Sequence, residues 1–408
     1  MTTPDLTRRE FVATAAGAVA AASIVPSLSA QAVAAQPPAA RSIGAVKVTA
    51  VKTYKLRQAL YVEVQTDAGV SGWGECAPNN KDVVQTFVQT GLVSHVVGRS
   101  VWDSEPIWHD CFYANSDLGP SGPLLNAIAG IDIALWDLKG KLAGVPTWQL
   151  LGGRYRERQR VYGSFAVDGG RRMTADQAAR KAASFVERGY TAVKLRMQIR
   201  ERNLNPMPDP TIPYVKAVRA AIGRDVELLV DINNGYTAAR AIERGRWLQE
   251  EMGVRYYEEP TSMQQLHELA QVSEALDLFI VAGENEHSRW QHRDLIDIAK
   301  IDVLNPDVSK AGGITEVKRI AALGQATSKR IMLHNTRPGI LTHASLAVIA
   351  SISNAAEYLE YSDPEDYRSL TALYADTLPV VNGELVIPNR PGLGVELDAA
   401  AVARAVVA

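Results

Sequence analysis

From Val161 onward, short apolar runs alternate with longer segments whose apolar positions recur every three or four residues. The first kind of pattern predicts buried strands and the second predicts amphipathic helices. Strands are expected at 160–166, 191–196, 226–231, 254–258, 278–283, 301–304, 330–334 and 356–360. Helices are expected between them at 174–188, 235–252, 264–276, 312–328 and 338–352. Eight such β runs with intervening helices favour a (β/α) barrel over an open doubly wound sheet. The stretch 197–213, beginning MQIRERNLNPMPDP, is too rich in Pro and Asn for a helix and reads as a long loop over one barrel mouth.

The preceding part follows a different period. Val46-Lys47-Val48, Leu60-Tyr61-Val62-Glu63-Val64 and Gly72-Trp73-Gly74-Glu75 alternate around the turn Asp67-Ala68-Gly69, which predicts an antiparallel hairpin. Residues 82–150 read as helices, with Ile128, Ile131, Leu135 and Leu138 on one stripe of 123–143 and Gly144-Val145-Pro146 as the stop. The chain thus divides into an α+β unit at 42–155, a barrel at 156–375 and a strand-and-turn tail at 376–408 expected to pack back on the first unit. Residues 37–41 (PPAAR) form a linker.

Residues 1–35 call for separate treatment. Thr7-Arg8-Arg9-Glu10-Phe11-Val12 precedes an uncharged Ala-rich apolar run to about Val25, and Ala-x-Ala-like sites end at Ala30 or Ala34. This resembles a twin-arginine signal peptide, so export of an already folded protein to the periplasm or beyond is expected. The run falls short of the ~18–20 apolar residues a bilayer span needs, so no membrane anchor is expected after processing.

Composition narrows the class further. Hydrophobic residues make up 47% and charged residues 22%, enough for a sizeable core. A formal net charge of −2, with no basic stripe interleaved with aromatics, argues against nucleic acid as a partner. Cys76 and Cys111 are the two cysteines; buried free thiols are the expected reading, and no Cys/His cluster suggests structural zinc.

The chemistry concentrates at strand ends. Asp231, Glu258 and Glu284 close three successive β runs, 27 and 26 residues apart. In a parallel barrel these ends share one face, so the three acids converge there. An all-oxygen set suits one hard divalent cation, Mg²⁺ ahead of Mn²⁺. Lys194 and Arg196 close the second strand and, with a period of two, point inward together toward an anionic partner. Asn233 follows Asp231 by two and is expected to donate toward a bound ligand. Asp307 follows the sixth strand and His334 ends the seventh, so the carboxylate can fix the imidazole tautomer and raise the basicity of its other nitrogen. Glu360, at the end of the eighth strand, faces the centre and, if protonated or hydrogen-bonded, could stabilise negative charge on a substrate oxygen.

Taken together, these motifs, with GWGE at 72–75, GIDIALWDLKGK at 130–141 and LLGG at 150–153, resemble the mandelate racemase subgroup of the enolase superfamily over nearly all of the chain beyond residue 35. The resemblance implies a modified (β/α)₇β barrel with an α+β capping domain whose loops close over the site. It also implies one Mg²⁺ on Asp231, Glu258 and Glu284, with Glu259 outside the ligand set. It further implies a His334–Asp307 base, a Glu360 contact to the enediolate and a homo-oligomer. Removal of the proton α to a carboxylate is the expected reaction, with Lys194 and Glu360 on the carboxylate oxygens.

One position departs from the subgroup. Racemases carry Lys-x-Lys, whereas the second basic position here is Arg196. A guanidinium with a pKa of roughly 12.5–13.8 is a poor general base near neutrality. One-face chemistry is therefore expected, with His334 taking the α-proton and returning it to a leaving β-hydroxyl. The leading reading is a dehydratase of an aldonic or aldaric acid. After it come a cycloisomerase or lyase on a lactone or anhydro sugar acid, a racemase or epimerase, and an exported sugar-acid-binding protein without turnover. Substrate selection is expected from loops 55–60, 76–82 and 197–213.

Overall fold

A computed structural model describes residues 46–375 and 377–407; the twin-arginine segment lies outside the described residues. Three strands, β1 (Val48–Lys55), β2 (Leu60–Thr66) and β3 (Ser71–Cys76), form an antiparallel meander in chain order. Gly69 turns the β2–β3 hairpin with a φ of 71°, a left-handed conformation that costs glycine little. Helix α1 (Ser104–Tyr113) and the long α2 (Pro123–Ala143) cover one face of this sheet. Helix α2 starts on Pro123, where a missing N–H costs nothing, and stops at Gly144, whose φ is 68°.

Contact between α2 and β3 is close enough to dictate residue type. A Cβ at Gly74 would stand 1.9 Å from the Gly130 carbonyl oxygen, one at Gly72 2.2 Å from the Ala134 carbonyl oxygen and one at Gly130 2.4 Å from Cys76 Sγ, which explains the glycines in GWGE and GIDIALWD. The single apolar stripe expected on α2 proves too narrow. Asp132 and Asp137 are buried as well, because the other face of the helix meets the barrel and the tail. Asp132 accepts from the Thr315 backbone N–H at 2.9 Å, and Trp136 donates to Thr315 Oγ1 at 2.8 Å.

Eight parallel strands follow in chain order: β4 (Arg158–Ala166), β5 (Ala192–Arg196), β6 (Glu227–Asp231), β7 (Tyr256–Glu258), β8 (Phe279–Ala282), β9 (Val303–Leu304), β10 (Arg330–Ile331) and β11 (Tyr358–Ser362). Strand β11 pairs with β4, and an Ile331–Ala355 bridge links β10 to the approach to β11, which curls the sheet round on itself. Helices pack outside: α3 (Ala175–Glu187), α4 (Thr211–Ile222), α5 (Ala238–Glu250), α6 (Leu266–Ala275), α7 (Arg289–Asp297), α8 (Gly313–Ala326) and α9 (Ile340–Ala350). The stretch 197–213 is irregular apart from a 3₁₀ turn at Glu201–Asn203 and the first residues of α4.

The tail divides between both units. Strand β12 (Glu384–Val386) pairs antiparallel with β4, an addition to the barrel sheet. Farther on, Leu393 donates to Asp137 Oδ1 at 2.9 Å and Val407 donates to the Lys55 carbonyl at 2.8 Å, both on the cap.

Inside the barrel, alternation sorts residues by depth. Tyr162, Ala192, Leu229, Tyr256, Val281, Val303, Met332 and Tyr358 form one inner apolar cluster. Their neighbours Val161, Val193, Leu195, Leu228 and Val230 belong to the cluster under the helices. Two residues farther along the same inward faces come Lys194, Asp231, Glu258, His334 and Glu360. A greasy plug thus sits below a charged layer at the carboxyl-terminal mouth.

Candidate active site

Asp231 and Glu258 end β6 and β7 and lie opposite each other in the sheet register. Glu284 follows β8 by two residues. One carboxylate oxygen from each of the three lies within 4.8 Å of the others, and all three side chains are buried. Burial, then the charges of Glu258 and Glu284, push the Asp231 carboxyl well above its ordinary range. Buried acids that repel one another and offer only oxygen fit a hard divalent cation.

Asparagines set the orientation of this triad. Asn233, at a left-handed φ of 60°, donates from Nδ2 to Asp231 Oδ2 at 2.7 Å and from its backbone N–H to Oδ1 at 2.8 Å. Its own Oδ1 accepts from the Gln198 backbone N–H at 3.0 Å. Both ends of the amide are engaged with protein, so Asn233 braces Asp231 where a substrate contact was expected. Glu259 also has a left-handed φ, 41°, a costly state for a non-glycine residue. Its carboxyl accepts from Asn234 Nδ2 and Asn285 Nδ2, each at 2.7 Å.

Lys194 and Arg196 point inward as the alternation predicts. The fully buried Lys194 Nζ donates to Glu258 Oε1 at 2.8 Å and Oε2 at 2.9 Å, and stands 3.4 Å from Glu360 Oε1. Burial opposes its charge, but Glu258 and Glu360 prevail and hold it protonated. Glu360 accepts from the Asn335 backbone N–H at 3.2 Å. Burial would raise its carboxyl, yet Lys194, His334 and Arg196 together lower it to about 2. Of the two states allowed for Glu360, this arrangement favours the carboxylate. Arg196 lies opposite Asp231 in the register, and its Nε is buried without a hydrogen-bond partner.

His334 and Asp307 meet because β9 and β10, after two residues of pairing, resume at an Asp307–His334 bridge. Nδ1 lies 2.7 Å from Asp307 Oδ2, and Nε2 lies 2.8 Å from Glu284 Oε2. Burial disfavours the imidazolium, but Glu284 and Glu360 outweigh it and raise the ring to about 9. Asp307 Oδ1 accepts from the backbone N–H and the hydroxyl of Ser309, at 2.7 and 2.6 Å.

Behind this pair stands a contact that no single motif signals. Arg337 donates to Ser309 Oγ at 3.2 Å and to Glu75 Oε1 at 2.5 Å. Glu75 is the last residue of GWGE, and its other oxygen accepts from the Leu341 backbone N–H at 3.2 Å. A cap carboxylate therefore reaches the base through Arg337, Ser309 and Asp307. Lys310, with Nζ 3.8 Å from Glu284 Oε1, is a further cation absent from the expected set; its place three residues after Asp307 was the available clue.

The comparisons agree with this fold. A family model described as "Mandelate racemase / muconate lactonizing enzyme, N-terminal domain" matches residues 32–152, and one described as "Enolase C-terminal domain-like" matches 177–401. The chain is 33% identical to a D-galactarolactone cycloisomerase of Agrobacterium fabrum over 84% of its own length and 89% of the relative's. It is 30% identical to a D-galactonate dehydratase of Ralstonia nicotianae over 86% and 92% of the two chains. Among solved structures, a mandelate racemase/muconate lactonizing protein from Paracoccus denitrificans, complexed with magnesium, superposes with a TM-score of 0.83 at 29% identity. That match covers 88% of this chain and 98% of the other.

Proposed function

This chain belongs to the enolase superfamily, in its mandelate racemase and muconate lactonizing subgroup, and from that premise we propose that it is a Mg²⁺-dependent sugar-acid dehydratase. Asp231, Glu258 and Glu284 would hold the cation. When bound, it supplies Lewis-acid stabilisation of the negative charge that develops on the substrate carboxylate. Lys194 adds a fixed positive charge beside Glu258 and Glu360. Asp307 holds His334 by Nδ1, leaving Nε2 as the nitrogen that faces the acids of the mouth. With Nε2 free of Glu284, it removes the α-proton. It then returns the proton to the departing β-hydroxyl, so water leaves and the enol product relaxes to a 2-keto-3-deoxy acid.

The observation that carries this reading is the pairing of one imidazole base with one arginine. His334 sits with Asp307 at 2.7 Å, whereas the position two residues after Lys194, where racemases of the subgroup carry a second lysine, holds Arg196, kept charged, against the opposition of burial, by Glu360 and Asp231. A guanidinium that does not deprotonate near neutrality leaves one face of the substrate without a base. Racemisation needs two. Similarity to a D-galactarolactone cycloisomerase supports a second reading, in which the group leaving the β-carbon is a ring oxygen and water is not lost.

Incubation of the purified protein and Mg²⁺ with a panel of sugar acids should yield 2-keto acids detectable by NMR. His334→Asn should lower kcat by ~10²–10⁴-fold, the usual span for a lost general base, while the fold persists by circular dichroism. Full turnover in that variant would remove His334 from the mechanism.

A further inference from the structure

Strands β11, β4 and β5 form the side of the mouth opposite the acids of β7 and β8. Here a cavity of about 300 Å³ opens, lined by Ser164, Ser362, Arg172, Lys181 and Arg196, with Gln58 of the cap at its edge. Ser362 lies opposite Ser164, and Ser164 opposite Lys194, in the strand register. The cavity is therefore one strand position away from Lys194. Gln58 ties it to the barrel, donating to the Asp366 carbonyl at 3.4 Å and accepting from Ser369 Oγ at 2.8 Å.

Cations outnumber carboxylates on its lining, with Arg172, Lys181 and Arg196 against Asp366. Lys181 is satisfied by Asp363 at 2.7 Å and Asp366 at 3.5 Å. Arg172 and Arg196 have no carboxylate within ion-pair distance among the described residues. Buried polar atoms on the same wall also lack partners: Arg196 Nε and Ser362 Oγ. Leaving such donors unpaired out of water costs free energy that a matching ligand group recovers. Guanidinium forks match carboxylates in shape as well as charge.

Resting on the dehydratase reading above, we propose that this cavity binds a second, distal carboxylate, so that the substrate is a sugar diacid and Arg172 is a specificity residue. One end of the diacid lies at the triad and the other between Arg172 and Arg196. A site built around such a group rejects an analogue lacking it, because the buried Arg196 Nε and Ser362 Oγ then stay unpaired, while the exposed Arg172 contributes charge and a matching fork at the cavity's outer edge.

Matched six-carbon aldaric and aldonic acids of the same configuration separate the possibilities, each tried with the Mg²⁺-loaded protein. Two readouts apply, kcat/KM and the ligand-induced rise in melting temperature. Wild type should favour the diacid by roughly tenfold or more in both, and Arg172→Ala should cut that preference by about the same factor, with partial recovery in Arg172→Lys. Equal or better use of the aldonic acid, with a ratio unchanged by Arg172→Ala, would overturn the diacid assignment and leave the dehydratase reading intact. A preference for a phosphorylated aldonic acid over the diacid would likewise overturn it. Preferential diacid binding without turnover of either acid would uphold the subsite and count against the dehydratase reading.

Discussion

At the scale of single residues, the site is a contest between burial and charge. Each acid of the triad is costly to ionise alone, and the basic groups around it decide which ones do. Glu284 shows this most clearly. Burial raises its carboxyl, but His334 and Lys310 hold it well below the ordinary value. Most of these residues were legible in the sequence, because a strand period of two assigns Lys194, Arg196, Asp231 and Glu360 to one side. Asn233 was legible in position but not in partner. The left-handed backbone that folds its amide onto Asp231 leaves no periodic trace. That arrangement predicts that Asn233→Ala weakens Mg²⁺ binding by ~10–100-fold, as loss of a group bracing a metal ligand commonly does. Titration calorimetry reads this directly. Unchanged metal affinity with a raised KM would instead make Asn233 a substrate contact.

At the scale of elements, the barrel strands followed from short apolar runs, and their helices from the longer period. Two helices did not: α4 (Thr211–Ile222), which follows directly on the Pro- and Asn-rich loop, and α7. Helix α7 is mostly polar, with only His292, Leu295 and Ile296 buried, so its apolar stripe is too thin to register. Strand β12 falls in the tail expected to be strand and turn, but it pairs with β4 of the barrel, far away in sequence, where packing on the first unit was expected. The link from β3 to the loop after β10 was equally hidden, since Glu75 and Arg337 are 262 residues apart. Removing one partner of a buried ion pair typically costs about 3–5 kcal/mol, while replacing both with apolar residues is often neutral. Glu75→Met should therefore lower the melting temperature sharply, and Glu75→Met with Arg337→Met should recover much of the loss. If the double variant melts no higher than the single one, the pair is not the source of that stability.

For the molecule as a whole, the division of labour is between a barrel mouth and a cap that reaches into it. The strands present the acids, the lysine and the histidine on a fixed ring, above a plug of Tyr162, Leu229 and Met332. Cap residues approach from the side through Gln58 and Glu75. The tail crosses between the two units and ties α2 to the barrel. Fold class was readable from the rhythm of eight strands, because rhythm survives substitution. The joints between cap, barrel and tail were not, because each depends on one or two contacts between distant residues.

The account rests on proton removal from carbon, assisted by a divalent ion held on Asp231, Glu258 and Glu284 and carried out by His334. Deuterium incorporation at the α-carbon of a sugar acid in D₂O measures that step apart from any later elimination. The account predicts incorporation or deuterated product with Mg²⁺, none after chelation, and none in His334→Asn with its Mg²⁺ affinity intact. Exchange that persists in the chelated protein or in that variant would contradict it.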